Sequence, residues 1–216
     1  MEVPIIRLPA VRPQPGFDFS RHMRVLCADL VARLPELAHI DLSRVAIAFC
    51  QTRRRVPHGL QATLTPLRFE GGSLTTHRRG RRLVIQRVVD SSDREMLYIL
   101  SFYLPRFLDH PLREKLCTVA HELWHIGPAF DGDLRRFPGR CFAHGHSQRH
   151  YETIVEDLVD RWLAERPSRE VYGFLEEDFA ALTARHGRVW GLRIPAPRVV
   201  PADEAPAARR AASQGR

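Results

Sequence analysis

The chain has 216 residues, of which 44% are hydrophobic, so it can bury a core of its own and reads most simply as one domain. No run approaches the roughly 18 apolar residues of a membrane-spanning helix, and the opening MEVPIIRLPAVRPQPG lacks the basic start, apolar stretch and cleavage site of a secretory signal. The four cysteines, Cys27, Cys50, Cys117 and Cys141, are scattered with no CxxC, which speaks against a disulfide frame or a cysteine-zinc site and for reduced thiols in a cytoplasmic protein.

The net charge of +8 is local. It gathers in QTRRRVPHG at 51–59, in HRRGRR at 77–82 and in the tail. Such runs can hold phosphates, and the plainer reading is solvated loops. No aromatic residue interleaves with the arginines, so a stacking platform for single strands is not expected.

In chain order, residues 1–16 read as an extended, proline-rich arm. Residues 17–37 read as a helix capped by Ser20, with Met23, Leu26, Leu30, Val31 and Leu34 at helical spacing. Apolar and β-branched residues at 43–52 predict a strand, 53–59 a basic loop, and the weak alternation at 60–69 a second strand. GGSLTTHRRGRR reads as a turn region. Strands follow at 82–90 and 96–104.

Pro111 suits a first helical position, and Leu112, Leu116, Val119, Ala120 and Leu123 continue the helix until Gly127-Pro128 stops it. Residues 128–146 are turn-rich. A helix capped by Ser147 runs to about Glu165 on an apolar face of Tyr151, Ile154, Val155, Leu158, Val159 and Trp162. One more helix spans about 176–186. The expected division is an arm (1–16), a domain (17–194) and a disordered Pro/Ala/Arg-rich tail (195–216).

The chemistry concentrates in LCTVAHELWHIGPAFDGD, residues 116–133. His121 and His125 stand four apart, which on a helix puts both imidazoles on one face within reach of a single ion. Glu122, beside the first, can take a proton from water activated by the metal and pass it to a leaving amine. The implied cofactor is Zn2+, and the implied activity is that of a zinc metallopeptidase, a hydrolase of peptide bonds with Glu122 as general base. A purely structural zinc would leave Glu122 without a duty.

Such a site needs a third protein ligand. His144 and His146, just ahead of the Ser147 cap, sit where the backbone is fixed, and the residues do not separate the two. Asp131 lies six residues past His125, where HExxHxxGxxH/D puts its last ligand, but Pro128 stands where that pattern needs glycine. Asp131 can instead serve as an outer partner of a ligand histidine. Glu152 and Glu156 share a face of the next helix and are further alternatives. Tyr151 is a candidate for steadying an oxyanion, as are Arg135, Arg136 and Arg149.

With these motifs in place, the chain resembles the compact zincins of the SprT type over about residues 20–165. His146-Ser147-Gln148-Arg149-His150-Tyr151 and His144-Gly145 are similar to the forms in which that family carries a third histidine ahead of a helix. HELWHIGPAFDGDLRRFPGRCFAHGHSQRHYE is closer still to metallopeptidases of phages and bacteria. The resemblance implies a zincin-like α+β fold, a small mixed β-sheet packed against the N-terminal helix and the HExxH helix. In that arrangement the strand at 96–104 would be the edge that binds an extended peptide or protein substrate. The alternative function is a nucleic-acid-associated protein that meets DNA through its basic loops, including a protease acting on DNA-bound proteins as SprT-type enzymes do. No membrane partner is expected.

Overall fold

The computed structural model describes residues 5–10, 12–52, 59–136 and 148–202. Its first half is β1 (Ile5–Arg7), β2 (Phe17–Asp18), α1 (Phe19–Arg33), β3 (Val45–Gln51), β4 (Ala62–Pro66), β5 (Thr75–Arg78), β6 (Arg81–Ile85), β7 (Arg87–Val89) and β8 (Tyr98–Leu104). Then come α2 (Leu112–Trp124), α3 (Gln148–Ala164), α4 (Arg169–Tyr172), α5 (Phe179–His186), β9 (Val189–Trp190) and β10 (Val199–Pro201). The class is mixed α+β. No described helix is long and apolar enough to cross a membrane.

α1 begins where Asp18, not the expected Ser20, caps it: the Asp18 carboxylate accepts the Arg21 N–H at 3.0 Å. Ser20 Oγ instead accepts the Leu192 N–H at 2.9 Å, fastening the later chain to the start of the helix. The helix stops short of Leu37 because Pro35 drives Leu34 into an extended conformation, φ −104° and ψ 108°. Met23, Leu26 and Leu30 are buried as their spacing predicts.

The main sheet has the order β3-β8-β4, with β3 parallel and β4 antiparallel to β8. This corrects the expected edge. YILSFYL is central, buried along nearly its whole length, because a strand covered on both faces reads as a continuous apolar run. The edges are β3 and β4, and α2 packs against β4. Tyr103 N–H donates to Gln61 O at 2.9 Å, so the backbone groups of odd-numbered residues face β8 and those of Ala62, Leu64 and Pro66 face outward. Pro66, with no N–H to donate, therefore costs no ladder bond.

The turn region at 71–82 is in fact a hairpin. β5 and β6 pair antiparallel around Arg79 and Gly80, both at positive φ (51° and 74°), the requirement of a two-residue primed turn. The expected strand at 82–90 is divided at Gln86 into β6 and β7, and β7 pairs with β1. The tail is ordered further than its composition suggests. β10 joins the free side of β6, and Ala202 N–H donates to Arg82 O at 2.9 Å. β9 pairs with β2. The basic run at 53–55, the Ser147 cap and residues 203–216 lie outside the described residues.

α3 packs on α2 and presents Tyr151, Val155, Leu158, Val159 and Trp162 to the core, the face read from the sequence. Trp162 Nε1 donates to Asp29 at 2.8 Å, and Asp29 also accepts from Arg33 at 2.7 Å, joining α3 to α1. One long polar side chain enters the core unannounced by the pattern. Lys115 is 2% exposed, and its ammonium donates to the carbonyls of Leu175 and Glu177 at 2.9 Å each. It ties α2 to the turn that leads into α5.

Candidate metal centre

α2 is held in the core by one face and turns His121 and Glu122 to a cleft with another. Leu116, Val119, Ala120 and Leu123 anchor it in the core. Pro111 stands at its N-cap, one position ahead of the expected place. The helix ends at His125, with αR backbone (φ −67°, ψ −18°) and its N–H on His121 O at 3.2 Å. The i,i+4 spacing brings the two imidazoles together, and His121 Nε2 and His125 Nε2 are 3.0 Å apart. Two nitrogens bound to one tetrahedral zinc at its usual bond length stand about 3.3 Å apart. The pair therefore needs only a few tenths of an ångström to share an ion, and two neutral imidazoles are the donor type zinc takes.

Glu122 lies beside them, 8% exposed. Burial raises its carboxyl pKa from 4.5 to about 7, opposed by the Leu64 backbone N–H that the carboxylate accepts. Leu64 is on β4, and its N–H points off the sheet's outer edge. The expected base thus touches the edge strand directly. The wall of a cleft of about 300 Å³ runs from Gln61 and the start of β4 (Ala62) across α2 (Thr118, His121, Glu122) to α3 (Glu152, Glu156). Gln61 is fixed there by the Thr118 hydroxyl, which donates to its Oε1 at 2.9 Å. Cys117, one turn before His121, also lines the cleft, and burial pushes its thiol pKa upward.

Tyr151 is brought to the site, in a different position from the one expected of an oxyanion group. It is 2% exposed, and its hydroxyl donates to His121 O at 3.3 Å and lies 3.2 Å from His125 Nδ1, the ring nitrogen remote from the Nε2 pair. Arg135 closes over the Trp124 ring at 3.8 Å, with its Nε on Trp124 O and its backbone N–H on His125 O. Arg136 is engaged with Asp133 at 2.7 Å and Glu70 at 3.6 Å.

Asp131 is absent from the cleft lining. Its Oδ1 accepts the Asp133 N–H at 3.0 Å in a loop folded back under α2, and its Cβ lies where a side chain on Gly72 would stand. That loop is built on Asp133, 7% exposed. The Asp133 carboxylate accepts from Gly71, Leu134 and Arg136, and its carbonyl accepts the Tyr98 hydroxyl at 2.8 Å. Nothing in the composition of FDGD distinguished Asp133 from Asp131. The distinction comes from contacts with residues 35 and 62 positions earlier in the chain.

Glu152 and Glu156 border the cleft beside His121, one turn apart on α3. Among the described residues, no three histidine, cysteine or carboxylate side chains form a metal-binding group. His144 and His146, the expected sources of a third ligand, lie outside the described residues, as does the side chain of Arg149. No protein-family model, curated protein or solved structure matches this chain.

Proposed function

We propose that this protein is a zinc-dependent metallopeptidase of the zincin kind. The observation that carries the reading is the convergence of His121 Nε2 and His125 Nε2 at 3.0 Å, with buried Glu122 bonded to the outer edge of β4 in the same cleft. A zinc ion held by the two histidines would supply Lewis acidity to a water and to a carbonyl. His144 or His146 is the third ligand, with Glu152 and Glu156 the alternatives that border the cleft.

The chain's own residues do the rest. Glu122, with a carboxyl pKa near neutrality in the metal-free site, accepts a proton at its carboxylate and releases it to the departing nitrogen. The outward N–H and C=O of Ala62 and the outward C=O of Leu64, whose N–H is already held by Glu122, pair with an extended peptide laid along β4. α3 closes the far side of the cleft.

Equilibrium dialysis followed by metal analysis should find about one zinc per chain. Glu122→Gln should keep that zinc and lose peptide cleavage on unfolded protein substrates by at least about 100-fold. Zinc bound equally with no difference in cleavage between the two proteins overturns the reading. Metal analysis of His144→Ala and His146→Ala side by side identifies the third ligand.

A second reading, a nucleic-acid contact, has its own observation. In the β5–β6 hairpin Arg78 stands opposite Arg81 and His77 opposite Arg82, all exposed. Like charges directly opposite destabilise a strand pair, and among the described residues none of these arginines pairs with a carboxylate. A polyanion would relieve that repulsion. Duplex DNA affinity measured from 50 to 200 mM salt should fall steeply, and less steeply once Arg78, Arg79, Arg81 and Arg82 are replaced by Gln. A flat response in the native protein removes the DNA reading and leaves the peptidase reading untouched.

A further inference from the structure

We propose that Tyr151 is a positioning residue that sets the tautomer of His125 and thereby aims its Nε2 lone pair into the site before any metal arrives. For its catalytic consequence this rests on the metallopeptidase reading. The tautomer itself is a property of the metal-free protein.

The inference is a count of protons. The Tyr151 hydroxyl donates to the backbone carbonyl of His121 at 3.3 Å, a group that can only accept. A phenol has one proton. With that proton on His121 O, the contact of 3.2 Å between the hydroxyl and His125 Nδ1 is a hydrogen bond in which Nδ1–H donates and the phenol oxygen accepts. A neutral imidazole carries one N–H, so His125 Nε2 holds a lone pair, and Nε2 is the atom that faces His121 Nε2 at 3.0 Å.

Ligand histidines ordinarily have their second nitrogen fixed in this way, most often by a carboxylate or a backbone carbonyl. Here the partner is a phenol, and the phenol is itself oriented by the backbone of the other ligand.

The placement is firm on both sides. Tyr151 is 2% exposed, and its ring packs edge-on to His121 at 4.8 Å and tilted against His125 at 5.3 Å. It sits in the first turn of α3, whose next turns carry the buried residues Val155, Leu158 and Val159. One aromatic residue thus makes the ligand geometry of α2 depend on the docking of α3.

The test begins with the metal-free native protein at pH 8, above the ordinary imidazole range. Long-range proton–nitrogen correlation spectra should report His125 as the Nδ1–H tautomer, and finding it as Nε2–H overturns the proposal with no substitution needed. Tyr151→Phe keeps the buried ring and removes only the oxygen. It should shift His125 toward the Nε2–H form and weaken zinc binding, measured by competition with a chromophoric chelator, by about 10- to 100-fold. An unchanged tautomer with zinc affinity within twofold of native overturns the proposal. If the tautomer responds as expected while the native protein binds no zinc, the tautomer assignment stands and the metallopeptidase reading falls.

Discussion

Glu122→Gln in the metal-free protein isolates the cost of burying the expected base. The carboxyl is 8% exposed, and desolvation lifts its pKa from 4.5 to about 7 in the folded chain. A folded pKa above the unfolded one means that the native state binds the proton more tightly. The group's contribution is then fully present below pH 4.5 and is lost as pH rises through about 7. The difference of about 2.5 in pKa corresponds to about 3 kcal/mol, at about 1.4 kcal/mol for each factor of ten. Gln has the same shape, carries no charge, and can still accept the Leu64 N–H through its amide oxygen. The variant should therefore match native stability near pH 4.5 and exceed it by about 3 kcal/mol at pH 8, most of the gain appearing between pH 5 and 7. Urea denaturation in excess chelator across that range measures it. A stability difference that does not change with pH would refute the reasoning, because it would mean that Glu122 ionises in the folded state as freely as in water.

Two further perturbations test how α2 and its following loop are held. Lys115→Met keeps the buried stem but leaves the carbonyls of Leu175 and Glu177 without their donor, and should cost about 1–3 kcal/mol. Lys115→Ala opens a cavity as well and should cost about 2 kcal/mol more; equal stability of both variants to the native protein in chemical denaturation would show that the ammonium ties nothing. Burial also lowers the Lys115 pKa below 10.5, so the folded chain sheds this proton first and the native protein should gain on the Met variant as pH rises towards 10.5. Gly132→Ala should cost about 1–3 kcal/mol, because Gly132 has φ +94° and an added Cβ would lie 2.5 Å from Arg68 Cγ. Arg68 cannot easily give way, being held to Glu95 at 2.8 Å with its side chain 8% exposed. A melting temperature unchanged by this substitution would count against the loop's conformation.

Local spacing marked α1, α2, α3 and α5, missed the short α4, and placed His121 and His125 on one helix face. His121 and His125 meet because four residues make one turn, and the apolar faces of α1, α2 and α3 are the ones their periodicity marks. The continuous apolar run of β8 was legible as a strand. Its place in the sheet was not, since strand order is set by which edges find partners far along the chain, and β4 rather than β8 became the edge beside Glu122. The same holds for β10, whose residues look like a tail until β6 supplies a ladder, and for Lys115, whose burial depends on two carbonyls about 60 residues away. The sequence marked Tyr151 as part of an apolar helix face and as a candidate for steadying an oxyanion. That its hydroxyl lies behind His125 rather than over the cleft is decided by how α3 docks on α2, a long-range contact that no spacing within either helix contains.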